Sequence, residues 1–182
     1  IPNAFKLDAS NNALPVDYGD VCINYDKAYF ADNSLAVPQS LEDLTKPEYA
    51  NLLVVENPAT SSTGLAFLLA TVDHFGDGYL DYWQSLKANG VIVVDGWETA
   101  YFTNFSASSG RGPQPMVVSY ASSPSAELSP SGESLTGSIV GVNTCFRQIE
   151  FAGILKGTQN RALAEKFMDY MLSRSFQEDM PL

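Results

Sequence analysis

The chain is 182 residues long, 45% apolar and 12% aromatic, which suffices for one sizeable core, or for one lobe with pieces of another, and excludes disorder of the whole. With 10 basic against 21 acidic residues the net charge is −11, and no basic cluster exists that would neutralise a nucleic-acid backbone, so nucleic acid is excluded as a partner. No apolar run approaches the ~20 residues of a bilayer-spanning helix, and Ile1-Pro2-Asn3 carries no signal-peptide pattern, which leaves the cellular address open.

Residues 1 to 15 have weak periodicity and read as a connector or as the tail of a preceding lobe. From Val16 to Asp26 the apolar positions Val21, Ile23 and Tyr25 alternate with Cys22 and Asn24, which is strand spacing, and Pro15 favours an extended entry. Ser40-Leu41-Glu42-Asp43 is a variant of the capping box and predicts a short helix to about Thr45. Leu52 to Glu56 is a continuous apolar run closed by an acid, the pattern of a strand covered on both faces. It leads into the hydroxyl-rich turn Asn57 to Gly64, after which Leu65, Leu68, Leu69 and Val72 recur at helical spacing. The turn therefore sits at a helix N-terminus, where free N–H groups and the helix dipole suit an anion.

Asp77 and Gly78 precede a second predicted helix, with Leu80, Trp83 and Leu86 on one face and Gly90 as its stop; Trp83 reads as core. A strand over Val91 to Val94, Gly96 and a short helix from about Glu98 to Phe105 follow, and Ser106 to Pro115 has the composition of a flexible surface loop. A strand from Met116 to Ala121 ends in Ser122-Ser123-Pro124, and Ser125 to Thr136 is a polar loop. Ile139 to Leu155 reads as one or two strands containing Cys145, and Asn160 as the cap of an amphipathic helix bearing Leu163, Ala164, Phe167, Tyr170 and Met171 on one face, before the run Met180-Pro181-Leu182. Strands alternating with helices predict an α/β domain with a mostly parallel, covered sheet, enclosed as one lobe by the extended segments at its two ends.

Enzyme chemistry finds little support. The single His, His74, stands alone on a helix, so zinc has no ligand set. The Gly-x-Ser-x-Gly, Walker and Gly-x-Gly-x-x-Gly patterns are absent, and no cofactor is implied. Cys22 and Cys145 have no adjacent His or Lys to activate them and make either one disulfide or two buried thiols. Binding chemistry is better served, because Trp97, Tyr101 and Tyr120 stand at element ends beside Gly96, Glu98 and Ser119. A flat or cationic heteroaromatic ligand could stack there with ~0.5–2 kcal/mol of cation–π attraction; the alternative is that these rings pack against neighbouring loops.

Seven motifs follow one another along the chain: Val16-Asp-Tyr-Gly-Asp20, Asn24-Tyr-Asp-Lys27, Pro38-x-Ser-Leu-Glu-Asp-Leu44, Asn57-Pro-x-Thr-Ser-Ser-Thr-Gly-Leu65, Gly96-Trp-x-x-Ala-Tyr101, Ser119-Tyr-x-x-Ser-Pro124 and Ala164-x-Lys-Phe-x-x-Tyr-Met-Leu-Ser173. Their order resembles that of the periplasmic thiamine-binding proteins, substrate-binding components of ABC importers in the family 1 extracellular solute-binding group. The resemblance implies a type II periplasmic-binding-protein fold, represented mainly by its second lobe (16–155) with hinge strands. Residues 156–182 would form a C-terminal helix belonging to or packing on the first lobe, most of which is lacking. It also implies a disulfide between Cys22 and Cys145. Trp97 would stack on the ligand ring, and Tyr120 and Ser61, with the backbone amides of Ser62, Thr63 and Gly64, would hold its hydroxyl or phosphate end. Tyr101 and Tyr18 are further candidates.

The same resemblance implies a monomer partnered by a membrane permease, at a periplasmic or extracellular address that allows a lipoprotein anchor in the full-length protein. Alternatives that it leaves open are a receptor for another solute, such as ferric iron or a phosphorylated compound, and a thiaminase-like enzyme on the same fold. The enzyme would need a free, reactive Cys.

Overall fold

In the computed structural model, which describes residues 3–108 and 111–180, the long alternating segment forms the strand β1 (Leu14–Asp26). Its last residue starts the short helix α1 (Lys27–Asp32), because the Asp26 carboxylate accepts from the amides of Ala28 and Tyr29. The predicted capping box forms in both directions: the Asp43 amide donates to Ser40 Oγ at 3.3 Å and the Ser40 amide to Asp43 Oδ2 at 3.2 Å. It opens only a single 3₁₀ turn, Glu42–Thr45.

The apolar run gives β2 (Leu53–Glu56), all four residues of which are buried. Then come α2 (Ser62–Phe75), α3 (Tyr79–Ala88) and β3 (Ile92–Val94). Gly90, the predicted stop, adopts φ +79°, which an L side chain resists. Beyond β3, α4 (Trp97–Thr99) runs into a π-helical turn, Ala100–Asn104. The strands β4 (Met116–Tyr120), β5 (Thr136–Ile139) and β6 (Phe146–Ala152) and the helices α5 (Arg161–Met171) and α6 (Arg174–Asp179) complete the order.

The sheet order is β3-β2-β4-β1-β5, with β6 also paired to β1. β2 runs parallel to β3 and β4, as expected, whereas β1 is antiparallel to both β4 and β5, so the sheet is mixed rather than mostly parallel. Period-two alternation divides the core between the two faces. Leu53 and Val55 of β2 join Phe67, Tyr82, Leu86, Met116 and Val118 in one cluster; Val54 joins Tyr101, Phe105 and Val117 in the other.

The chain separates into two compact units, one made of Ile1–Gly19 with Gln148–Leu182 and the other of Asp20–Arg147. The boundaries fall inside β1 and β6, so the chain passes twice between the units along strands. In the larger unit Cys22 of β1 and Cys145 are joined by a disulfide that spans 123 positions.

Several local expectations are corrected. Leu65, Leu69 and Val72 of α2 are 44%, 39% and 38% exposed, and the buried side of the helix is Thr63, Gly64, Ala66, Phe67, Ala70 and Thr71. Small residues there let the helix approach the sheet closely: a methyl group on Gly64 would overlap the Glu56 carbonyl oxygen. Leu80 of α3 is exposed, while Tyr82 and Leu86 carry that helix's packing. Trp83 packs on the core as expected, and its Nε1–H donates to Thr71 Oγ1 at 2.9 Å.

Cys145 lies one residue before β6, in the turn that precedes it, rather than inside a strand. Asn160 offers α5 its backbone carbonyl but no side-chain cap, and Leu163, Phe167 and Tyr170 on the predicted apolar face are exposed. The Ser106 to Pro115 interval is pinned where it is described. The Ser106 amide donates to Gln114 O, the Gln114 amide to Asn104 O, Ser108 Oγ–H to the Tyr101 carbonyl, and Phe105 is fully buried. Ser109 and Gly110 of that interval, and Pro181 and Leu182, lie outside the described residues.

Candidate ligand site at the carboxyl edge of the sheet

Three parallel strands, β2, β3 and β4, end at one edge, and the turns that leave them carry most of the residues singled out from the sequence. Side chains at such an edge are held by the sheet and still reach solvent, which is why ligands of open α/β sheets bind there. The turns are joined to each other. The Asn57 amide donates to Val94 O at 2.7 Å, and Thr60 Oγ–H donates to the Asp95 carbonyl at 2.7 Å, fastening the turn after β2 to the turn after β3. Trp97 follows two residues later, and its Nε1–H donates at 2.9 Å to Ser119 Oγ of β4, which lies 2.9 Å from Ser123 Oγ.

The hydroxyl-rich turn caps α2 as predicted. Ser61 has extended backbone angles, its Oγ accepts from the Gly64 amide at 3.5 Å, and its carbonyl accepts from the Leu65 amide. Ser62 is exposed at the first helical position; Thr63 and Gly64 are buried beneath it. Thr63 Oγ1 lies 2.9 Å from Ser61 Oγ and donates at 3.0 Å to Glu56 Oε2. Glu56, the final residue of β2, has no exposed surface, and its Oε1 has no hydrogen-bond partner. Burial raises the Glu56 carboxyl to about 7, against smaller lowering contributions from Thr63 and the backbone. Sequence reasoning passed over this residue. Its signal was an ionisable group at the end of a run otherwise apolar on both faces, immediately before the hydroxyls.

The aromatic residues divide. The half-buried Trp97 indole is stacked on Tyr101, with centroids 4.9 Å apart and planes 21° apart, and meets Phe102 edge-on at 5.4 Å. One face of the indole is therefore held from within. Tyr101 is itself buried, and desolvation followed by the Glu127 charge pushes its hydroxyl far above the usual phenol range. Tyr120 belongs by alternation to the other face of the sheet, where its ring packs against the cluster around Phe67 and Tyr82. Trp97 and Tyr120 thus share an edge but not a face. Tyr18 falls in the smaller unit, its exposed ring 5.2 Å from that of Phe5.

His74 takes a structural position, its Nε2 2.7 Å from Glu42 Oε1 and its Nδ1 3.3 Å from Asn143 Nδ2, and the contact lowers the Glu42 carboxyl. The disulfide leaves no free thiol among the described residues, which removes the Cys nucleophile that the enzyme alternative requires. No helix among the described residues is long and apolar enough to cross a membrane.

Comparison with known proteins bears on the fold and the family of the chain. The thiamine-binding periplasmic protein of Salmonella typhimurium is 29% identical over 181 residues, covering 100% of this chain and 52% of the relative. That of Brucella suis is 30% identical over 183 residues, covering 100% and 51%. Among solved structures, a periplasmic thiamin binding protein superposes with a TM-score of 0.81 at 28% identity, over 94% of this chain and 51% of that one. The chain spans about half the length of the curated relatives it matches. Its mixed α/β architecture is that of a lobe-sized part of the periplasmic-binding-protein fold. The family model described as bacterial extracellular solute-binding protein matches residues 2–182, and the chain belongs to that family, one of solute-binding proteins rather than enzymes.

Proposed function

We propose that this chain serves as part of the substrate-binding component of an ABC importer, taking thiamine or a phosphorylated form of it by clamping and without chemistry on the ligand. The observation that carries this reading is the convergence at one sheet edge of a half-buried indole and a hydroxyl-rich helix N-terminus, joined through the Thr60 to Asp95 bond. A cationic heteroaromatic ring suits the indole face opposite Tyr101, where stacking and cation–π attraction together contribute on the order of 1–3 kcal/mol. The first-turn amides of Ser62 and Thr63, with Ser61 Oγ, suit the hydroxyl or phosphate end, since the first N–H groups of a helix lack partners within it. Tyr120 flanks them from the end of β4, and the names of the relatives supply the choice of thiamine among ring-bearing ligands.

In this reading β1 and β6 serve as the hinge strands, residues 16–155 as the second lobe, and 156–182 as a helix of the first lobe. A periplasmic address with a membrane permease as partner goes with it, and a monomeric receptor suffices.

Isothermal titration of the full-length natural protein with thiamine and thiamine monophosphate tests the reading. Binding that Trp97→Ala weakens by about 1–3 kcal/mol is expected. Absence of binding to both compounds overturns the choice of ligand, and affinity unchanged in Trp97→Ala removes the indole from the site.

A further inference from the structure

Resting on the reading of the hydroxyl turn as the anion end of the site, we propose that Glu56 is a positioning residue whose proton decides whether Ser61 offers the ligand a hydrogen-bond donor or only lone pairs. The carboxyl, Thr63 Oγ1 and Ser61 Oγ form a chain of three groups at 3.0 and 2.9 Å that leads from the buried end of β2 to the cap of α2. Such a chain has one direction at a time. An ionised carboxylate only accepts. Thr63 must then donate to it, Ser61 must donate to Thr63, and the outward side of Ser61 Oγ presents lone pairs to an incoming anion.

A carboxylic acid carries one proton to give. Glu56 Oε2–H then donates to Thr63, and Thr63 O–H donates to Ser61. The Gly64 amide occupies the other Ser61 lone pair, at 3.5 Å. Every acceptor position on Ser61 Oγ is then filled, and its own proton points to the ligand. The balance is one proton taken from solvent by the carboxyl when the anion binds, with no bond broken elsewhere.

The surroundings of Glu56 favour such a switch at neutral pH. Its Oε1 is buried without a partner, and no cation stands on any element packed against it. β3 carries no charge, β4 carries only the Tyr120 phenol, and the π turn carries only Tyr101. On α2 the charged or titratable residues, Asp73 and His74, are in the last turn, far along the helix from Thr63. The neighbouring acids are exposed: Asp95, whose Oδ1 faces Asn57 Nδ2 at 3.4 Å, and Glu98. Burial therefore decides the carboxyl's behaviour, and raises it to about 7.

The test is calorimetric titration with thiamine monophosphate from pH 5.5 to 8.5 in buffers of different ionisation enthalpy, on full-length natural protein and its Glu56→Gln, Thr63→Val and Ser61→Ala variants. Comparison at each pH cancels titration of the ligand itself. Relative to Glu56→Gln, whose amide keeps a donor available to Thr63 at every pH, the natural protein should lose about tenfold in affinity between pH 6 and 8.5, the equivalent of one unit of ligand-linked pKa change. It should also take up about half a proton on binding near pH 7.5, beyond any taken up by the ligand's own phosphate. Glu56→Gln and Thr63→Val should lack this extra uptake, a readout that a merely structural role for Glu56 does not move. Parallel pH profiles, or equal proton uptake in natural protein and Glu56→Gln, overturn the proposal while leaving the anion site intact. Unchanged affinity in Ser61→Ala overturns the anion site itself, and the relay with it.

Discussion

Glu56 shows how far a single residue's behaviour departs from its composition class. A carboxyl raised from the ordinary 4.5 to about 7 binds a proton in the folded chain that the unfolded chain has already lost. Its contribution is fully present below about pH 4.5 and is lost as the pH rises through about 7, so stability falls with pH across that window. Glu56→Gln should remove this slope and exceed the natural protein at pH 8 by up to ~3 kcal/mol. Urea denaturation at pH 5 and pH 8 checks it, and identical slopes in the two proteins would show the carboxyl to be hydrated. The Trp97 to Ser119 bond is a second residue-scale feature. Ser119→Ala strands the buried side of an indole N–H and should destabilise by about 1–2 kcal/mol, with a shift in tryptophan emission; unchanged stability and emission would show water replacing the hydroxyl. Trp97 was legible in the sequence because Gly96 breaks the strand before it. Ser119 stood out only as a neighbour of Tyr120, because nothing in the apolar run Met116–Tyr120 shows which distant side chain its hydroxyl meets.

Among the elements, α2 separates what periodicity tells from what it leaves open. The start was legible: a run of hydroxyls before a helical repeat requires a cap, and Ser61 supplies it. The buried side was not, because residues 65–72 are apolar nearly all round and the repeat of Leu65, Leu69 and Val72 competes with that of Ala66, Phe67 and Ala70. The sheet selects the second set, since small residues at Thr63, Gly64, Ala66 and Ala70 bring the helix axis nearer while Phe67 fills the space against Trp83. Gly64→Ala should therefore destabilise by about 1–3 kcal/mol, although alanine is the better helix former, because the added methyl meets backbone rather than a movable side chain. Thermal melts of the two proteins check the sign, and a stabilised Gly64→Ala would refute the close seat. The π turn at Ala100–Asn104 was likewise invisible in the sequence; one extra residue per turn places Tyr101 under Trp97 and Phe105 in the core.

At the scale of the molecule, the Cys22–Cys145 disulfide ties the first strand to the turn before β6 and closes nearly the whole of the larger unit. In the chain-entropy account a loop of 123 positions restricts the unfolded ensemble strongly, so the Cys22→Ser/Cys145→Ser protein should lose about 2–5 kcal/mol. Denaturant midpoints of the oxidised, reduced and doubly substituted proteins measure the loss, and equal midpoints would show the crosslink to be energetically idle. The same crosslink suits an oxidising compartment, in keeping with a family of extracellular solute-binding proteins.

The sequence by itself determined the strands β1 to β4 and the helices α2, α3 and α5, where α2 begins, that chemistry by metal, Cys or Ser was unsupported, and that the seven motifs stand in a solute-binding order. Those properties are local, set by periodicity, capping and the kinds of side chain present. Tertiary structure alone decided that the sheet is mixed, that Trp97 and Tyr120 lie on opposite faces of one edge, that an apolar helix buries its smaller side, and that Glu56 lies beneath the hydroxyl turn. Each of these depends on which distant strand or helix comes alongside. Burial, the quantity that raises the Glu56 carboxyl and fixes the Trp97 ring, is a property of that assembly and of no single segment.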